Sequence, residues 1–231
     1  MKLSIMQPYF FPYIGYFRLL QTVDKFVSYD DVNFIKGGWI NRNRLLLGGK
    51  VGYFTVPLSE ASSFVKINSI KIKSDIPWEA RILAQISASY SKAPYYTSVR
   101  DLVEKVVFSH DGYISTLAKK SVLAVADYLS ISKVVEISSE LYGNQNLRGT
   151  ARVLDICRQE AASVYVNLPG GRNLYSQADF SREGMDLLFL DGPMREYSQA
   201  GTEFHSGLSI IDVLMFNSPE EVVGMLEPRG Y

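Results

Sequence analysis

Histidine and cysteine are nearly missing from this 231-residue chain, which has 2 of the first and 1 of the second. Cys157 alone cannot form an intramolecular disulfide, and its solitude points to a reducing compartment. His110 and His205 have no partner at metal-ligand spacing, and neither HxxxH nor CxxC occurs, so no metal site is expected. The same scarcity removes the one side chain whose unperturbed pKa lies near neutrality. Excess charge is also absent: 24 basic residues balance 24 acidic ones, which argues against a dedicated duplex-DNA binder. No uninterrupted apolar stretch approaches the ~20 residues of a membrane span. Pro8 and Pro12 interrupt the apolar opening and no small-residue cleavage site follows, so it does not read as a signal peptide. The expected location is cytoplasmic. The motifs GxGxxG, GxxxxGKS and GxSxG are missing too.

What is present is a hydrophobic fraction of 47%, enough for a sizeable core in a single α/β domain over residues 1–231. Residues 3–6 read as a short strand stopped by Pro8, 14–23 as a helix and 25–29 as a second strand, the size of a βαβ unit. A hairpin is expected across 45–47 and 53–57, turning at Gly48-Gly49-Lys50, and a strand over 67–72. The segment 76–130 is expected to be largely helical, with helices at 78–90, 94–107 and 113–129. Strands at 134–138, 164–167 and 187–190 then alternate with helices at 148–162 and 208–216. This pattern predicts a mostly parallel sheet, nucleotidyltransferase-like or Rossmann-like.

Two strand ends in the first 43 residues carry the chemistry. Ligands of open α/β sheets bind beyond the carboxyl ends of the strands. The first end opens into Gln7 and a run of Tyr9, Phe10, Phe11 and Tyr13, able to line a pocket or to pack as a corner. The second delivers Asp30 and Asp31, which could bind a metal, a ribose hydroxyl or an amine, or simply cap a turn. Lys36, Arg42 and Arg44 flank Gly37-Gly38, a candidate phosphate cradle that a solvated hairpin edge would resemble. Trp39 could stack on a base or sugar, or anchor the core. Gly170-Gly171, followed by Asn173 and Tyr175, repeats the layout of strand end plus glycines and is a candidate second wall. Cys157 falls on a helix as a small buried hydrophobe.

The stretches Met6-Gln7-Pro8-Tyr9-Phe10-Phe11-Pro12-Tyr13-Ile14-Gly15-Tyr16-Phe17 and Tyr29-Asp30-Asp31-Val32-Asn33-Phe34-Ile35-Lys36-Gly37-Gly38-Trp39-Ile40-Asn41-Arg42-Asn43 resemble the opening of the WbqC-like family. The likeness continues through Trp78, Tyr90, Ala93-Pro94-Tyr95, Ser138-Ser139, residues 152–157, Tyr165 and Tyr197-Ser198-Gln199 to Leu208-Ser209-Ile210-Ile211-Asp212. It implies work among bacterial surface polysaccharides, O-antigen especially, with some members described as glycine or aminoacyl transferases acting on nucleotide-linked amino sugars. On that reading a nucleotide-linked amino sugar is the ligand and Asp30 or Asp31 orients or deprotonates its amine. Lys36, Arg42 and the glycine amides would hold the diphosphate, while Gln7, Tyr16, Trp39, Asn43, Gly170, Gly171 and Tyr175 contact substrate. ATP and magnesium would serve if the acyl donor is a free amino acid. A non-catalytic glycan or nucleotide-sugar binder and a nucleotidyltransferase are the alternatives. For the last, Pro12 to Tyr16 opening a helix echoes a phosphate-holding loop, but without the histidines that flank its glycine.

Overall fold

The computed structural model describes residues 1–132, 134–136, 138–192, 195–201 and 203–227. The chain starts with β1 (Lys2–Met6), turns through the aromatic segment 7–13 and enters α1 (Ile14–Thr22). β2 (Lys25–Ser28) returns parallel to β1, with Ile5 opposite Val27. A hairpin follows, β3 (Arg42–Leu47) and β4 (Lys50–Thr55), turned by Gly48 and Gly49 at φ 59° and 78°. Only glycine takes two consecutive left-handed residues without strain, which is why Gly-Gly marks the turn.

Three helices come next: α2 (Trp78–Tyr90), α3 (Tyr96–Val107) and α4 (Ile114–Tyr128). Then β5 (Val134–Glu136), α5 (Gly149–Gln159), β6 (Val164–Asn167), α6 (Gln177–Arg182) and β7 (Asp186–Phe189) alternate. The chain finishes with α7 (Ile210–Phe216) and α8 (Pro219–Leu226). Of the strand expected over 134–138, Ile137 lies outside the described residues.

The main sheet runs β5-β2-β1-β6-β7, and every pairing in it is parallel. Adjacent residues on a strand face opposite sides, so the inner strands β1, β2 and β6 feed two cores. Leu3, Ile5, Val27, Tyr165 and Leu187 pack with Val153, Ile156 and Cys157 of α5 and Phe180 of α6. Phe26 and Val166 belong to the other core, with Phe17 and Leu20 of α1, the central helices and the hairpin. Helices therefore cover both faces, as a buried parallel sheet requires. The glycine-rich turn of a dinucleotide-binding fold does not accompany this plan, since the proline-bound aromatic segment stands in its place.

The expected strand over 67–72 is corrected. Residues Ile67–Ser69 form a short 3-10 turn, and the chain beyond makes single bridges, Leu58 with Ile72 and Lys71 with Tyr113. Ile72 N–H donates to the Gly112 carbonyl and Lys73 N–H to that of Pro57. The segment alternates between two partners and never finds a continuous ladder.

Candidate functional site

Strand order reverses between β1 and β6, because the chain builds outward from β1 through β2 to β5 and then returns to start the other half at β6. Loops leaving two such strands run apart and leave a crevice at their carboxyl ends. A cavity of about 400 Å³ occupies that place, within the range of small-molecule sites. Gln7, Tyr9 and Tyr13 come to it from the segment after β1. Asn167 ends β6, and Gly170, Gly171 and Tyr175 follow it into the lining, which Tyr29 and Trp39 complete.

The first wall is held from three directions. Phe10 N–H donates to the Trp39 carbonyl at 3.0 Å, and Phe11 N–H to Ser121 Oγ of α4 at 2.9 Å. Asn43 Nδ2 of β3 reaches the carbonyls of Phe10 and Phe11 at 3.2 and 2.8 Å, and Ser209 Oγ reaches Phe11 at 2.7 Å. Phe11 sits at φ 41°, a left-handed conformation costing about 1–3 kcal/mol in a non-glycine residue. Such a conformation persists only where neighbours over-determine it. With Phe10 and Phe11 fully buried, Tyr9 and Tyr13 remain for the cleft.

Gly15 has a specific job here. A Cβ on it would lie 2.3 Å from Cε2 of Tyr13, so the tyrosine ring rests on the first turn of α1. The ring thus fills the space that a side chain at position 15 would need. Gly171 is similarly tight: its Cβ would meet Asn167 Nδ2 at 3.0 Å.

Asp30 and Asp31 lie just beyond the end of β2 and take different partners. Asp30 accepts from Lys119 Nζ of α4 at 2.7 Å and Ser138 Oγ at 2.8 Å. Asp31 accepts from Arg152 Nη2 of α5 at 2.7 and 2.6 Å on its two oxygens, and from the Ser139 hydroxyl. Burial alone would raise the Asp31 carboxyl, but hydrogen bonds from Arg152 and Ser139, with the Arg152 charge, outweigh it and hold the group below its ordinary value. A base working near neutrality needs the opposite shift, so Asp31 is a standing anion. Arg152 is itself buried, donates through Nε to Asn144 Oδ1 at 2.9 Å and lies 5.1 Å over the Tyr29 ring.

Two smaller cavities adjoin the cleft. One of about 220 Å³ shares Tyr29 with it and is lined by Asp31, Lys66, Gln145, Arg148 and Arg152, where α5 begins. The other, about 190 Å³, shares Tyr9, Tyr13 and Trp39 and adds Asn43, Arg44 and Gly207. The cleft itself is aromatic and amide-lined, and the two cavities that share residues with it carry the cations.

Of the residues singled out from sequence, Gln7, Trp39, Gly170, Gly171 and Tyr175 line the cleft and Asp31 its polar annex. Tyr16 does not: it is 1% exposed, and its hydroxyl donates to the Gln7 carbonyl at 3.0 Å, so it acts through the backbone of a lining residue. Asn43 borders the smaller cavity, but its amide is spent on the backbone of Phe10 and Phe11. Arg42 donates to the carbonyls of Gly37 and Gly38 and stacks 4.6 Å over Tyr53, closing its own loop instead of facing a ligand. Lys36 is exposed and lines none of these cavities. The cations at the cleft are Arg44, Lys66, Arg148 and Arg152. Only Arg44 belonged to the expected basic cluster; the others come from distant segments, and no local pattern announces them. Asn167 was legible as the last residue of a strand, the same signal that marked Gln7. Among the described residues, no three of His, Cys, Asp and Glu come together to hold a metal.

The model of the WbqC-like protein family matches residues 7–223, and the chain belongs to that family. It is also similar to a protein of Mycobacterium tuberculosis named uncharacterized protein Rv1507c, 28% identical over 220 residues that cover 94% of this chain and 93% of the other. No solved structure matches the chain. Among the described residues, no helix is long and apolar enough to cross a membrane.

Proposed function

We propose that this protein is a transferase that places an acyl or aminoacyl group, glycine included, on the amino group of a nucleotide-linked amino sugar. The setting is cytoplasmic assembly of a bacterial surface polysaccharide of the O-antigen kind. Membership of the WbqC-like family supports that setting. The observation that carries the reading is the cleft at the β1/β6 reversal, lined by tyrosines and an amide, with cations in the two cavities that share its walls.

Lys66 and, at the start of α5, Arg148 suit a sugar diphosphate better than Lys36 and Arg42, which the fold turns elsewhere. Tyr9, Tyr29 and Trp39 offer faces for the sugar and base, and Gln7 offers an amide. The amine attacks the acyl carbon as its C–N bond forms, the bond to the leaving group breaks, and one proton is released. Asp31, its carboxylate taken up by Arg152 and the Ser139 hydroxyl, fixes Arg152 at the annex and does not remove the amine's proton, which passes to the departing group. A free amino acid as donor requires ATP and magnesium for activation; a thioester requires neither.

One observation favours binding without turnover: among the described residues, none lining the main cleft is acidic. Thermal shift with nucleoside-diphosphate amino sugars, their deaminated counterparts, ATP and acyl-CoA tests the reading. Ligand at 100 times its dissociation constant adds about 2.7 kcal/mol, roughly 5–10 °C for a chain of this size. Preference for the amino form, followed by a mass gain on the sugar when donor is added, is the expected result. Binding without any product under every donor leaves the non-catalytic reading standing in its place.

A further inference from the structure

Arg44 is an arginine with little to do in the folded chain. Nη2 donates to the Gly207 carbonyl at 2.9 Å, while Nε–H is closed off from solvent with no acceptor. Leaving a buried donor unpaired costs on the order of 1–3 kcal/mol, so proteins seldom keep one without a use. The guanidinium lies 5.3 Å over the Trp39 ring and on the wall of the 190 Å³ cavity, which Tyr9 and Tyr13 also line. No hydrogen bond engages either tyrosine hydroxyl among the described residues. Burial raises both phenols, so both remain neutral donors at ordinary pH. Asn43 cannot serve a ligand here, since its amide holds Phe10 and Phe11 and its Oδ1 accepts the Arg44 N–H at 2.9 Å. The cavity therefore gathers a cation and two hydroxyl donors, with no acid among its described lining residues.

From this we infer a small-oxyanion subsite at Arg44, taking a carboxylate or phosphoryl group of a reactant seated in the adjoining cleft. Carboxylate and phosphate share the chemistry that a guanidinium fork reads, two oxygens in one plane accepting parallel N–H groups. The inference deepens the proposed function, because a subsite beyond Trp39 is where the acyl donor would present its anionic group. It rests on that reading only for the donor's identity.

Trp39 supplies the measurement. In a Trp78→Phe background it is the sole tryptophan, and an anion on the guanidinium stacked above it should alter its fluorescence. Acetate, inorganic phosphate and pyrophosphate are the probes, with chloride at matched ionic strength as the control. The expected result is a saturable change with acetate or a phosphate, reduced at least tenfold in apparent affinity by Arg44→Gln and partly kept by Arg44→Lys. Lys36→Ala, a change on the exposed loop, should leave the titration intact. Preference for acetate names a carboxylate, and preference for pyrophosphate names a phosphoryl group. A titration that matches chloride, or that Arg44→Gln leaves unchanged while its thermal midpoint stays near that of the parent, overturns the subsite. Anion binding here with no response to any amino-sugar nucleotide would retain the subsite and remove the transferase reading. Nucleotide-sugar binding undisturbed by Arg44→Gln, with no anion response, would do the reverse.

Discussion

Removing Arg152 would strand the Asp31 carboxylate, whose side chain is fully enclosed, with the Ser139 hydroxyl as its remaining close donor among the described residues. Breaking a buried pair from one side costs about 3–5 kcal/mol, so Arg152→Met should lower the unfolding free energy measured by urea denaturation at pH 7 by that much. The acid side tests the same contact with a definite sign. Because the folded-state pKa of Asp31 lies below its unfolded value near 3.9, its stabilisation is present above about pH 4 and disappears as pH falls through the lowered value. Asp31→Asn should therefore flatten the fall of stability below about pH 4. A variant with the parent's acid slope would mean the carboxylate is not held as described. At Gly15, substitution by Ala should leave the fold within about 1 kcal/mol, since alanine favours helix, yet push the Tyr13 ring off α1. Ligand affinity, not the melting midpoint, should register that change. This scale also shows what sequence could and could not tell. Gln7, Trp39, Gly170 and Gly171 were legible because each follows a strand end or a glycine break. Arg42 and Asn43 look alike in sequence as polar candidates near the site, but whether a guanidinium or amide faces a ligand or its own backbone depends on loop conformation. No local spacing specifies that.

Among the elements, the hairpin matters most to the site, since Asn43 on β3 and Trp39 just before it hold the aromatic segment. The hairpin is itself tied to the helices through Tyr90. The hydroxyl of that residue accepts the Leu46 N–H at 2.9 Å and donates to Asp212 Oδ2 of α7 at 2.6 Å. Tyr197 donates to the other Asp212 oxygen at 2.6 Å, and burial raises the Asp212 carboxyl despite these bonds. Tyr90→Phe leaves a buried N–H and a buried carboxylate oxygen each short of a partner, so a loss of about 2–4 kcal/mol is expected in equilibrium denaturation. An unchanged midpoint would show that the hairpin is anchored elsewhere. Most helices were legible by their apolar period, and 78–90 fell where the structure has it. α8 carried a plain signature in Ser218-Pro219-Glu220-Glu221, a capping box with proline in the first turn, and went unread because it is short and terminal. The strand expected over 67–72 failed for a different reason: alternation names a buried face but cannot supply a neighbour to pair with.

Across the whole molecule, the cleft exists because the chain visits β1 first and β6 only after some 160 residues of other structure. Neither loop makes a pocket alone. The segment after β1 brings rigid aromatic walls, fixed by contacts from β3, α4 and the start of α7, and the segment after β6 brings glycines and an amide. Sequence displayed both halves separately, and strand order, which no local pattern encodes, joins them. A ligand seated there must touch both loops at once, and that gives a test independent of its identity. Hydrogen exchange on the protein with a ligand found by thermal shift should slow amides in 7–13 and 168–175 together, while α2 and α3, remote from the reversal, keep their rates. Protection of 7–13 alone would place the ligand over the aromatic segment and outside the crevice. Protection centred on 145–152 alone would make the cationic annex at α5 the site and the switch-point cleft a bystander. Joint protection is what the topology requires.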